Sequence, residues 1–212
     1  MTIESTSRSG RGQARTRLAR AAVVEAASAL FVERGYAATT VEAISERSDV
    51  PPATVYRLFS TKLGILRSLL DLSVGGAEPT AELADQPAAQ ALLADPDPVR
   101  QLTGFAAICS EVNARTEPLY RILVSAAGSD PDAAALLADR TRRRSSGQGL
   151  IARSLAHAGA LRPGLREREA ADIIHALMSP EMFSLLVADR GWTPRRYRQW
   201  LTRTLIDQLL PR

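Results

Sequence analysis

Apolar positions recur along this chain at helical spacing from near one end to the other, with no convincing run of strand-like alternation. The first stripe, Val23, Ala27, Leu30 and Phe31, predicts a helix from about Thr16 to Arg34. Gly35 ends it, since glycine takes the left-handed backbone that a helix end prefers. Val41 and Ile44 then give one narrow stripe, too short to be stable alone. Thr39 and Glu42 have the spacing of a capping box and predict that this second helix opens at Thr39. It must stop by Ser48 or Asp49, because Pro51 and Pro52 push the residues before them out of the helical region. Asp49 suits the turn, its short polar side chain tolerating a left-handed backbone. A third helix starts on the prolines, welcome where amides have no partner. Val55 and Phe59 face inward, leaving Ala53, Thr54, Tyr56 and Arg57 on or beside the outer face. A fourth helix, capped by Ser60 or Thr61, runs from Lys62 to about Leu72 with Ile65, Leu66, Leu69 and Leu70 facing more than one side.

Val74-Gly75-Gly76 through Pro79 breaks the pattern and places a domain boundary there. Beyond it, helices are predicted at about Gln86 to Ala94, Pro98 to Arg115, Glu117 to Ala127, Asp132 to Ala158, Arg166 to Asp189 and Pro194 to Leu209. Asp-Pro pairs and the glycines Gly159, Gly164 and Gly191 fall between them. The expected fold is all-α, with residues 1–15 as a disordered basic arm, 16–72 as a small helical domain and 73–212 as a larger one.

Two short helices joined by a tight turn, with a third beginning just after, outline a DNA-reading device. Over Val23 to Leu70 the residues fit a known pattern: Ala27 to Phe31, Gly35-Tyr36, Thr39-Thr40-Val41, Ile44, Val50, Thr54-Val55-Tyr56-Arg57-Leu58-Phe59 and Lys62. This stretch resembles the N-terminal domain of the tetracycline-repressor (TetR) family of transcriptional regulators. It departs from the family pattern at Asp49, usually glycine, at Leu58, often histidine or tyrosine, and at Leu63, commonly acidic. The resemblance implies a helix-turn-helix whose DNA contacts fall on Thr40, Pro52, Ala53, Thr54, Tyr56, Arg57 and Lys62. Thr40 and Lys62 would hold backbone phosphates.

Composition narrows the class further. The chain has 212 residues, 45% hydrophobic and 24% charged, as expected of a globular protein with real cores. A single cysteine, Cys109, allows no internal disulfide, and no apolar run approaches the length that spans a bilayer. A cytoplasmic location with no membrane association is expected. Net charge is +4, and the excess sits in front: residues 1–75 carry 10 Lys+Arg against 7 Asp+Glu, while 76–212 carry 17 against 16. Arg8, Arg11, Arg15, Arg17 and Arg20 face only Glu4 in an arm too polar to fold alone, suited to meeting phosphate.

The last helices carry more apolar residues than one internal face needs. Ile174, Leu177, Phe183, Leu186, Trp200, Leu201 and Leu205 are therefore expected at a homodimer interface, as in the resembling family. The middle helices would surround a small-molecule pocket in that family, with Phe105, Ile108, Cys109, Val112, Tyr120, Leu123, Ile151 and Leu155 as candidates; no charged residue sits on this stripe, which favours a hydrophobic or amphipathic effector. The run Arg140, Arg142, Arg143 and Arg144 reads as a solvated face. His157 and His175 lie on different helices, so a metal site has poor support and no cofactor is expected. There is no G-x-S-x-G, no glycine loop for phosphate and no catalytic acid-histidine spacing, which argues against an enzyme. The sequence thus points to a ligand-responsive dimeric regulator released from a palindromic double-stranded DNA operator, or to a dimeric DNA-binding protein without an effector.

Overall fold

The computed structural model describes residues 4–75 and 86–211, with side chains from residue 12 onward. The described residues are helical, with no strand among them: α1 (Glu4–Ala38), α2 (Val41–Ser48), α3 (Pro52–Phe59), α4 (Lys62–Gly75), α5 (Pro87–Leu93), α6 (Pro98–Ala127), α7 (Pro131–His157), α8 (Glu167–Leu177), α9 (Pro180–Phe183) and α10 (Pro194–Leu209). The all-α expectation holds. The chain forms two compact units, residues 1–70 with 121–136, and residues 71–120 with 137–212. Residues 121–136 group with the first unit, which contiguous reading along the chain did not foresee. The Gly76 to Pro79 part of the expected break lies outside the described residues.

In the first unit α1 packs on α2 and α3. Val23, Ala27, Leu30 and Phe31 are buried with Ile44, Val55 and Phe59, as their spacing required. Gly35 breaks the helix at φ 76°. Against expectation, α1 does not begin near Thr16 but at Glu4. Once Val23 to Phe31 are anchored, each residue added upstream propagates an existing helix instead of nucleating one, which costs far less.

The second unit is built on a core that includes Leu102, Ile151, Leu155, Ile174, Phe183, Tyr197, Leu201 and Leu205. Two expected boundaries fail here. The break at Thr116 does not occur: α6 runs through Pro118, and the Thr116 hydroxyl donates to the Val112 carbonyl at 2.9 Å inside the helix. The expected helix from Arg166 to Asp189 is interrupted, because Ser179 accepts from the Met182 amide and Pro180 opens a new helix, α9, which passes into a π-helical turn over Ser184–Asp189. No single helix among the described residues is long and apolar enough to cross a membrane. The bent pair Glu167–Leu177 with Pro180–Asp189 comes nearest, and its Ile174 and Phe183 are core.

Two glycines give opposite expectations. A Cβ at Gly64 would stand 2.0 Å from the Phe59 carbonyl oxygen, a backbone atom with little room to yield. Gly64→Ala is expected to cost about 1 to 3 kcal/mol, seen as a lower urea midpoint. Gly149, inside α7, has nothing within 4 Å of its Cβ position, and Gly149→Ala is expected to stabilise by about 0.5 to 1 kcal/mol. Equal midpoints for the two variants would contradict the backbone placement.

Candidate nucleic-acid interface

The helix-turn-helix is held by short-range backbone chemistry. Thr40, not Thr39, is the cap of α2: its hydroxyl accepts from the Ala43 amide at 3.1 Å, so the expected Thr39–Glu42 capping box does not form. Thr39 is buried instead, its hydroxyl donating toward the carbonyls of Gly35 (2.8 Å) and Leu30 (3.2 Å) and sealing the end of α1. Adjacent threonines look alike in sequence; only the turn at Gly35 decides which one points inward. Asp49 takes the left-handed conformation (φ 53°) as expected, and buried Ser45 donates to the Val50 carbonyl at 2.7 Å, closing the turn into α3.

On α3, Val55 and Phe59 are buried while Pro52, Ala53, Tyr56 and Arg57 are exposed and Thr54 is half-buried. Tyr56 keeps 47% of its surface accessible, and Arg57 makes no hydrogen bond or ion pair among the described residues. An exposed guanidinium beside a phenol presents donors suited to a base edge or a phosphate. Thr40 is exposed at the start of α2.

Lys62 is placed differently from the expectation of a phosphate contact. Its Nζ donates to the carbonyls of Tyr36 (2.7 Å) and Thr39 (2.8 Å) and lies 4.2 Å from the centre of the Tyr36 ring. Burial holds its pKa below the ordinary lysine value, with Asp130 acting against that shift. Burial, then Asp130 as a charge and hydrogen-bond acceptor, pushes the Tyr36 phenol up to about 12. Two ammonium N–H groups are thus committed to the protein. Arg20, expected in the arm, is a second clamp: it donates to the Leu58 carbonyl (3.1 Å) and Ser68 Oγ (3.3 Å), with its guanidinium 4.5 Å over the Phe59 ring. Between these clamps Ser60 sits at φ 63°, unusual for a residue with a side chain, and Thr61 caps α4 by accepting from Gly64 at 3.0 Å.

Residues 23–69, which hold this motif, match the family model described as bacterial regulatory proteins, tetR family. It is this N-terminal stretch, under a quarter of the chain, that carries the tetR-family pattern. An uncharacterized HTH-type transcriptional regulator of Bacillus subtilis, YvkB, is 42% identical over 48 residues, which are 23% of this chain and 25% of that protein's length. Likeness of fold extends much further. The repressor SmeT of the Stenotrophomonas maltophilia efflux pump SmeDEF superposes with a TM-score of 0.65 at 18% identity, covering 91% of this chain and 90% of that one. The fatty acid degradation regulator FadR of Bacillus halodurans gives 0.68 at 17%, covering 88% and 93%.

In the second unit, beyond the stretch that matches the family model, the pocket candidates divide. Phe105, Cys109, Ile151 and Leu155 are packed in one core, where burial pushes the Cys109 thiol up to about 12. Ile108 and Val112 are half-buried, and Leu123 falls in the other unit. Polar chemistry overlooked in sequence adjoins Tyr120, whose hydroxyl donates to Glu181 Oε1 at 2.5 Å, with Arg144 3.5 Å from the other carboxylate oxygen. The arginine run is therefore not all solvated face. Arg142 and Arg143 pair outward with Asp139, whereas Arg140 turns to Asp71 and Arg144 is largely buried. The residues expected at an interface also divide: Ile174, Phe183, Leu201 and Leu205 are buried within their own chain, while Leu177, Leu186 and Trp200 are half-buried.

Lys62→Met keeps the aliphatic stem but strands the Tyr36 and Thr39 carbonyls. It is expected to lower the stability of the first unit by about 1 to 3 kcal/mol in denaturant unfolding. Unaltered stability would mean the ammonium serves a phosphate and not the turn.

Proposed function

We propose that this chain is a homodimeric, cytoplasmic transcriptional repressor that binds a palindromic operator through α3 and is released by a small, largely apolar effector. The observation that carries the reading is the outer face of α3, with Tyr56 and Arg57 exposed inside the residues that match the tetR family. Two-fold pairing would set two such helices about 34 Å apart, one turn of DNA. Effector binding that favours another spacing by about 1 to 3 kcal/mol would weaken operator binding 5- to 150-fold. The SmeT structure with triclosan supports a small apolar effector by likeness of fold. Residues 121–136 of α6 and α7 belong to the first unit and the rest of those helices to the second, so covalent continuity supplies a route for coupling.

For pairing, the surface left over from the core is the relevant one: half-buried Leu177, Leu186 and Trp200, together with Leu185, which keeps 49% of its surface accessible. Half-exposed leucine on an otherwise packed helix pair suits a seam.

Footprinting on the DNA flanking its gene tests the whole reading, and an unprotected flank together with no selection of sequences from a random pool would refute it. Arg57→Ala is expected to cost about 1 to 3 kcal/mol of operator affinity and to relax preference at one position per half-site in gel-shift series. Leu185→Arg adds a charge where a single chain has room for it, so the fold should survive while the dimer is lost, several kcal/mol being typical for an unpaired buried charge. Light scattering checks this directly; a wild-type monomer at micromolar concentration would sink the dimer.

A further inference from the structure

Arg144 projects from α7 into a poorly matched setting. Its side chain retains 20% of its accessible surface, whereas Glu181, the acid facing it, retains 60%. The Nε is buried without a partner. Its other contacts are long: 3.5 Å from Nη1 to Glu181 Oε2, and 3.4 Å from Nη2 to His175 Nε2. Charge-assisted pairs normally close to about 2.7 to 2.9 Å. His175 does not compensate the cation. An arginine can only donate, so Nε2 must accept and Nδ1–H must donate to Gln148 Oε1, at 2.9 Å, leaving a neutral ring.

The site therefore holds a cation that is more buried than its counter-ion and short of good acceptors. A buried charge with incomplete pairing is costly, and a better acceptor offsets that cost. The carboxylate already present shows what fits: Glu181 spans the Tyr120 hydroxyl and the guanidinium, and, being mostly in solvent, loses little if displaced. A cationic ligand would be repelled by Arg144, and a neutral one would leave the mismatch as it stands. Apolar packing starts close by: Met178, three residues before Glu181, lies in the core with Phe105 and Cys109, and the Cys109 thiol donates to its carbonyl at 3.3 Å. The chain is also irregular around Glu181, with the break at Ser179–Pro180 before it and the π-helical turn after it, so moving this side chain does not require deforming a regular helix.

We propose that Arg144 and Tyr120 receive the carboxylate of an amphiphilic organic acid, which takes the place of Glu181 while its apolar body lies toward the Cys109 side. This deepens the effector reading above and rests on it for its regulatory meaning, though the binding itself does not need DNA.

Calorimetry or equilibrium dialysis with the full chain tests it, using octanoate, octan-1-ol and octylamine as a set matched in apolar length. Octanoate should bind roughly ten-fold or more tighter than the alcohol, as a charge-assisted pair implies, and octylamine weakest. Arg144→Gln should abolish the preference for acid over alcohol. Glu181→Gln, which removes the internal competitor, should tighten octanoate several-fold, an opposite sign that a merely damaged fold would not give. Arg143→Gln, on the outward face, should change nothing. No binding of octanoate, equal binding of acid and alcohol, or weaker octanoate binding by Glu181→Gln would overturn the proposal. A chain that binds octanoate as expected but protects no DNA would refute the regulator reading and leave this site standing.

Discussion

A recognition helix of eight residues cannot hold itself. Isolated helices need roughly 12 to 15 residues to be even marginal in water, and α3 has Pro52 at its start and a turn through Ser60 at its end, so its orientation must be imposed from outside. Two cations impose it. Arg20 reaches from α1 to the Leu58 carbonyl, among the last carbonyls of α3, and covers the Phe59 ring. Lys62, just past the turn, ties the start of α4 back to the Tyr36 and Thr39 carbonyls that precede α2. The positive φ of Ser60 is tolerated because both sides of the turn are fastened. Every residue on the outer face of α3 inherits its position from these bonds.

The choice of cation fits each place. Lys62 is the only lysine in the chain. A compact ammonium can sit between two carbonyls and above a ring at once, where a planar guanidinium would be too wide. Arg20 does the complementary job: its flat group stacks on Phe59 while its fork divides between Leu58 and Ser68, which a point charge could not do. The cost appears in Lys62 itself, whose charged form is disfavoured by burial and supported by Asp130 from the turn before α7. Asp130 lies in the 121–136 stretch that groups with the first unit, so residues distant in sequence act on one side chain.

Local signals in the sequence were readable where the physics is local. Gly35, Asp49, Pro52 and the Val55–Phe59 pair did what backbone conformation and spacing demand. Where the answer depended on partners elsewhere, the pattern misled. Lys62 was read only for a phosphate because nothing nearby in sequence reveals that the Tyr36 and Thr39 carbonyls, ahead of α2, converge on it. Pro118 and Pro180 are the same residue with opposite outcomes. Ser179 lies just before Pro180 and can cap a new helix, so the chain restarts; Thr116, two before Pro118, bonds back to Val112 and the helix carries on. The polar group around Arg144 was invisible because the four arginines were read together as one solvated face, although positions 140 and 144, one turn apart, share a face that 142 and 143 do not.

The apolar surplus of the last helices does not by itself separate a core from a seam. Those helices do carry more apolar residues than a narrow stripe requires, but a core bounded only by helices draws on a wide stripe of each. On α10 the i, i+4 row Tyr197, Leu201, Leu205 and Leu209 is buried, with Tyr197 edge-on to Phe183 at 4.9 Å. Trp200 lies one position off that row, half-buried against Tyr197 and Trp192. Core and seam would then occupy adjacent stripes of the same helix, and residue type alone cannot separate them, since leucine serves both. What separates them is angular position: a residue one place along the chain is rotated by about 100° and changes from filling the core to standing beside it. A charge placed at Leu201 would therefore test folding, while a charge placed at Leu185 tests association.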